Sequence, residues 1–257
     1  MRSVKRTVSR GRFLSRGAIS ELILRVVLSN HEAESNQSTQ SSFMAAIELY
    51  SSSALPRLSR SVSQIIHDGG IVAVPTETYY GLAVNPFDEQ AVDRLLRLKG
   101  RTNGKPILVL IGQRAQLSLL VREVSSIATF LMDAFWPGPL TILFAAHSSL
   151  PHNLTAGTGT VGVRLSSCRP LMDLLAICGP LTGTSANRAG DLPTQEANQV
   201  REALGQDIDL IVDAGPAPGG LPSTVVDARD TARLIREGAV TRQMLQNVLQ
   251  THGMPLM

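Results

Sequence analysis

Cysteine, aromatic residues, lysine and long apolar runs are all scarce in this chain of 257 residues. Two cysteines, Cys168 and Cys178, are too few for a disulfide framework and lack zinc-ligand spacing, so they read as ordinary thiols of a reducing compartment. An aromatic share of 4% excludes base-stacking platforms as the dominant feature. The longest apolar candidates are interrupted by Glu21, Arg25, Asp133 and Pro137, and none approaches the run of about 18 residues that would span a bilayer. No membrane role is expected. The five histidines, His31, His67, His147, His152 and His252, are scattered without paired spacing, which argues against a metal site or a catalytic triad built on them.

What remains is the composition of a globular protein, 43% hydrophobic and 18% charged. Its formal charge of +3 is unevenly placed. Residues 1–43 carry Arg2, Lys5, Arg6, Arg10, Arg12, Arg16 and Arg25 against Glu21, Glu32 and Glu34. The body from Met44 onward is slightly acidic, so its balance gives no argument for broad binding to a phosphate backbone. The first 43 residues read as a disordered basic, Ser-rich extension, either dispensable or the result of a start set upstream of Met44. A cytoplasmic location follows from that reading. The alternative is an organelle transit peptide, which an Arg- and Ser-rich, acid-free start also fits.

Within residues 44–257, strands and helices alternate. Leu58–His67 has helical spacing and stops at Gly69-Gly70, and Ile71–Val74 follows as a strand. Asp88 is placed to cap a helix through Leu98, with Val92, Leu95 and Leu96 facing inward. Ile127–Phe135 should end ahead of Pro137. Further strands are expected at 107–111, 140–144, 161–165, 181–184, 210–212 and 224–226, with helices at 171–177, 196–204 and 241–249. The expectation is one α/β domain, a twisted mixed sheet with flanking helices.

Two familiar patterns fail on context. Gly157-Thr-Gly-Thr-Val-Gly162 matches the dinucleotide fingerprint, but it leaves a polar loop and enters a strand, the reverse of what that motif needs. Gly104-Lys105 is followed by Pro106, where a phosphate-binding loop needs a hydroxyl.

A cationic, hydroxyl-rich set survives. Lys99, Arg101 and Lys105 fall within one Gly-containing segment, and Lys99 and Lys105 are the only lysines of the body, a grouping suited to phosphate oxygens. The bland alternative, cations favoured at a helix C-terminus, stands beside it. Pro75–Leu82, Leu181–Asn187 and Pro222–Asp227 each place hydroxyls, a carboxylate or an amide at a strand end. Arg164 and Arg236 sit in separate apolar strands.

The ordered motifs PTETYYGL (75–82), KGRTNGK (99–105), WPGPLT (136–141), TVGVR (160–164), TSAN (184–187), STVVD (223–227) and LIREGAV (234–240) resemble those of the YrdC-type threonylcarbamoyl-AMP synthase family, in its short, single-domain members. The resemblance implies a YrdC/RibB-like α/β fold with a concave basic pocket. It implies condensation of L-threonine, bicarbonate or CO₂, and ATP to threonylcarbamoyl-AMP and pyrophosphate. In that reaction ATP is a substrate and Mg²⁺ would accompany the triphosphate, with no protein metal ligands assigned. The product would feed the tRNA-modifying transferase machinery, and contact with tRNA or double-stranded RNA stays open. Carried over by position, Thr78, Arg164 and Ser223 would hold threonine, and Arg101, Lys105, Thr160, Ser185, Asn187 and Arg236 would face ATP. Lys99 and Arg101 are the catalytic candidates. Leu110 stands where several members carry histidine, and Tyr79 replaces the usual valine. The rivals are a non-catalytic RNA-binding module on the same fold and a paralogue that adenylates a different carbamate.

Overall fold

Helix α1 (Leu55–His67) begins with Pro56 in its first turn, where a missing N–H costs nothing, and buries Leu58, Val62 and Ile66 on one face. Among the residues that the computed structural model describes, 44–100 and 106–257, it is the first helix. The expectations for residues 1–43, for Arg101 and for Lys105 fall outside the described residues. Gly69, at φ 76°, ends the helix in the left-handed region and hands the chain to β2 (Val72–Val74). Helix α2 (Glu89–Leu98) starts at Asp88, whose carboxylate accepts from the backbone N–H groups of Gln90 and Ala91. Val92 and Leu95 are buried as expected, while Leu96 is only partly so. Helix α3 (Ser126–Phe135) is capped by Ser125 and stops before Pro137.

The remaining strands are β1 (Ala46–Leu49), β3 (Gly81–Ala83), β4 (Leu108–Ile111), β5 (Leu140–Ala145), β6 (Thr160–Leu165), β7 (Leu181–Thr182), β8 (Thr184–Ser185), β9 (Leu210–Asp213), β10 (Thr224–Asp227) and β11 (Arg233–Arg236). Among the described residues the other α-helices are α4 (His152–Thr155), α5 (Arg169–Cys178), α6 (Ala197–Leu204) and α7 (Arg242–Thr251), and a 3-10 helix spans Arg114–Leu119. The α/β architecture with flanking helices is as read from the sequence. Its strands, however, are divided between two mixed sheets, in the orders β1-β9-β2-β3-β8 and β11-β10-β5-β6-β4-β7.

The run Leu181–Thr184, expected as one strand, is where the chain crosses from one sheet to the other. β7 pairs antiparallel with β4, and β8 pairs antiparallel with β3. Gly183 is the joint. Its N–H donates to the Leu108 carbonyl at 2.8 Å, and the Leu110 side chain occupies the space that a Cβ would need.

Apolar packing ties the sheets to the helices. Leu58 and Val62 of α1 and Leu171, Leu174 and Leu175 of α5 share a core with Val74 and Ala83 of the first sheet and Leu110 and Leu181 of the second. A larger core runs through Ile142, Phe144 and Val163 to Leu245 and Leu249 of α7. Gly157 and Gly159 both take left-handed φ and turn the chain into β6, as the refusal of the dinucleotide motif required. Among the described residues no helix is long and apolar enough to cross a membrane.

Candidate active site

Strand register gathers the candidate residues on one face of the six-stranded sheet. In-register neighbours on adjacent strands point to the same side. Arg236 of β11 pairs with Val225 of β10, and Val225 pairs with Thr141 of β5. The antiparallel register Ile142↔Val163, carried one residue further, sets Thr141 beside Arg164 of β6, and Arg164 pairs with Leu110 of β4. The row Arg236, Val225, Thr141, Arg164, Leu110 therefore crosses five strands. Ser223, at the entrance to β10, joins it, because its Oγ lies 3.0 Å from Thr141 Oγ1. Arg236 donates to the Ser223 carbonyl at 2.8 Å.

Arg164 is the centre of this row, and its side chain is 5% exposed. Burial pushes its pKa below the ordinary arginine range, the Glu77 carboxylate opposes that, and Arg236 adds repulsion. Two arginines thus share one face of the sheet, an arrangement able to receive an anion.

The loop 75–80, between β2 and β3 of the other sheet, reaches this face through Glu77. Thr76 Oγ1 accepts from the N–H groups of Thr78 and Tyr79 and donates to the Tyr79 carbonyl, a hydroxyl-stabilised turn. That turn places Glu77 against Arg164, Nε to Oε1 at 3.4 Å, and buries Thr78 with its hydroxyl 3.0 Å from that of Thr76. The glycine loop before Ser223 is fastened to the same turn. Gly219 N–H donates to the Thr78 carbonyl at 2.7 Å, and Tyr79 Oη donates to the Gly220 carbonyl at 2.7 Å. Gly219 has φ 72°, a left-handed conformation that a side chain there would strain.

A second cluster forms around Lys99, the residue that follows α2. Its ammonium is buried and donates to the Ser185 carbonyl at 2.8 Å, to Asn187 Oδ1 at 3.0 Å and to the Asn187 carbonyl. Asn187 Nδ2 in turn donates to the Arg188 and Asp191 carbonyls. Ser185 is held by pairing with Gly81, which links this cluster to the 75–82 segment.

The structure thus groups Thr78, Arg164, Ser223 and Arg236, and separately Lys99, Ser185 and Asn187. Thr160 lies on the same face of β6 as Arg164, with the bare Gly162 between them, and its hydroxyl contacts Thr158 Oγ1 at 2.8 Å. Arg101 and Lys105 lie outside the described residues. Reasoning from sequence missed three members: Thr141, Glu77 as the partner of Arg164, and Ser166, whose hydroxyl donates to Glu77 Oε2. Thr141 and Glu77 lay inside quoted motifs, but only strand pairing shows what they face.

The Sua5_yciO_yrdC family model, described as telomere recombination, matches residues 64–238. A threonylcarbamoyl-AMP synthase from Pyrococcus abyssi is 34% identical over 192 residues, covering 74% of this chain and 56% of the relative. A putative threonylcarbamoyl-AMP synthase from Mycobacterium tuberculosis is 36% identical over 185 residues, covering 72% of this chain and 85% of the relative. The chain thus spans just over half of the archaeal relative and most of the mycobacterial one. The crystal structure of P. abyssi Sua5 complexed with L-threonine superposes with a TM-score of 0.73 at 30% identity, covering 83% of this chain and 62% of that one.

Proposed function

The chain belongs to the Sua5–YciO–YrdC family, and from that premise we propose that it condenses L-threonine, bicarbonate or CO₂, and ATP into threonylcarbamoyl-AMP, releasing pyrophosphate. The observation that carries the reading is the row on the six-stranded sheet. Arg164, buried and cationic, stands beside the Thr141–Ser223 hydroxyl pair and one side of Arg236. That arrangement suits a small amino acid whose carboxylate pairs with a guanidinium and whose polar groups meet hydroxyls. The relative solved with L-threonine supports the choice of amino acid.

The chemistry asks for little covalent work from the protein. The threonine amine adds to CO₂ and loses a proton to solvent, giving a carbamate, and a carbamate oxygen attacks the α-phosphorus of ATP. The bond to the β-phosphate oxygen breaks, and pyrophosphate leaves. As a nucleotidyl transfer, the step is limited by positioning and by the charge on the phosphates. In our reading Thr78, Arg164 and Ser223 hold threonine. Ser185, Asn187, Thr160 and Arg236 line the nucleotide, and Arg101 and Lys105 neutralise its phosphates. Lys99 acts by holding the 185–187 backbone in place. Mg²⁺ would accompany the nucleotide and offset phosphate charge; among the described residues no three His, Cys, Asp or Glu side chains gather, and we assign it no protein ligand. We assign the product to tRNA threonylcarbamoylation and the reaction to the cytoplasm.

The test is pyrophosphate release from ATP by the full chain in bicarbonate buffer, with L-threonine and with L-serine. Release with threonine well above that with serine is expected. Release that ignores the amino acid, or none from a folded protein that binds ATP, would overturn the reading in favour of another carbamate or a binding module.

A further inference from the structure

Glu77 meets Arg164 on its Nε side. Its Oε1 lies 3.4 Å from Arg164 Nε, close enough for charge attraction, yet both atoms are buried and neither has a hydrogen-bond partner. Its Oε2 accepts from Ser166 Oγ, and Ser166 is fully buried just beyond the end of β6. The chain that carries Arg164 therefore also carries the hydroxyl that steers Arg164's counterion. The outer edge of the guanidinium differs from the inner one. Among the described residues Nη1 and Nη2 make no hydrogen bond with protein, and neither is among the buried polar atoms left without a partner. The inner edge thus faces a buried carboxylate, and the outer edge is left without a protein partner among the described residues.

We propose that Glu77, braced by Ser166, is a positioning residue that sets the plane of the Arg164 guanidinium for an amino-acid carboxylate. The inference rests on the threonine reading above. A guanidinium offers two parallel N–H bonds to a carboxylate only when its plane is fixed, and a plane fixed before the ligand arrives avoids the ordering cost on binding. A buried arginine without a counterion would also carry an uncompensated charge, so one carboxylate serves both ends. Glu77 touches no substrate in this scheme.

Glu77→Gln keeps the shape and removes the charge. The threonine KM is expected to rise about tenfold with the ATP KM within about twofold of wild type, the scale seen when a group that orients a ligand-binding side chain is removed. A purely structural role would lower folded fraction and turnover without singling out threonine. A second arm uses the Arg164→Lys background, where the planar fork is already gone. There Glu77→Gln should add less than about twofold to the threonine KM. Ser166→Ala is the milder variant, expected to raise the threonine KM about threefold, and it carries the test if Glu77→Gln does not fold. An unchanged or lowered threonine KM in the folded variant, or a full tenfold penalty on top of Arg164→Lys, overturns the positioning role. Wild-type protein without threonine-dependent turnover would instead sink the function reading itself, so the two failures are told apart.

Discussion

The ammonium of Lys99 lies 3.0 Å from Asn187 Oδ1, and it also donates to the Asn187 and Ser185 carbonyls. It thereby joins the end of α2 to the segment that follows β8. An ammonium has rotatable donors on a flexible stem and can follow three oxygens that a planar guanidinium cannot match together. Lys99→Met should therefore leave buried acceptors unpaired, at about 1–3 kcal/mol each, and loosen the 185–187 backbone. The expected result is a lower Tm together with a loss of turnover above about 10²-fold, as for removal of a group that preorganises phosphate contacts. Lys99→Arg should not rescue it. Thermal unfolding alongside pyrophosphate release checks this, and a stable, active Lys99→Met would show the strut to be dispensable.

Thr141 lies in β5 and Ser223 just ahead of β10, neighbouring strands far apart in sequence, and their hydroxyls share a hydrogen bond at 3.0 Å. Thr141→Val keeps the volume and deletes the hydroxyl. A cost of about 1 kcal/mol in stability is expected from the lost bond. The threonine KM should rise severalfold while the ATP KM stays put. Equal changes in both constants would place Thr141 outside the amino-acid side of the site.

Much of this site was legible in the sequence as a set of segments and little of it as an arrangement. The cap at Asp88, the stop at Gly69-Gly70 and the end of α3 before Pro137 are local rules, and the structure follows them. Arg164 stood out as a charge in an apolar strand, and Ser223 as a hydroxyl at a strand's start that the family resemblance marks. Thr141 did not, since one threonine in Leu140–Ala145 looks like ordinary strand composition. The antiparallel pairing of β5 with β6 is what sets it beside Arg164, and pairing is a long-range choice that no window of sequence contains. The same limit hid the division into two sheets. Leu181–Thr184 reads as one apolar run, and only the packing of Leu110 over Gly183 shows why it must break.

Gly183 gives that break a direct test. A Cβ at this position would lie 2.5 Å from Leu110 Cδ1 and 2.6 Å from Leu110 Cγ, and Leu110 is fully buried. Overpacking of this kind costs about 1–3 kcal/mol. Gly183→Ala should lower the Tm, and on a Leu110→Ala background, where the clash is gone, it should cost much less. Full additivity of the two losses in denaturant unfolding would mean that Leu110 is not what constrains Gly183.

Asp227 closes β10 with its side chain 8% exposed, between Arg229 at 2.6 Å and Arg233 at 3.8 Å. The hydrogen-bonded Arg229 guanidinium holds its carboxyl below the usual carboxylate range, outweighing the opposing effect of burial. A carboxyl whose folded pKa is depressed contributes stability that is fully present above its unfolded pKa, about 3.9. That contribution drains away as pH falls through the folded pKa. Asp227→Asn should therefore be less stable than wild type at neutral pH, and the gap should narrow below about pH 4. Unfolding free energies of both proteins, measured from pH 7 down to about pH 3, decide it. A gap that stays constant over that range would assign the loss to packing or hydrogen bonding rather than to the charge on Asp227.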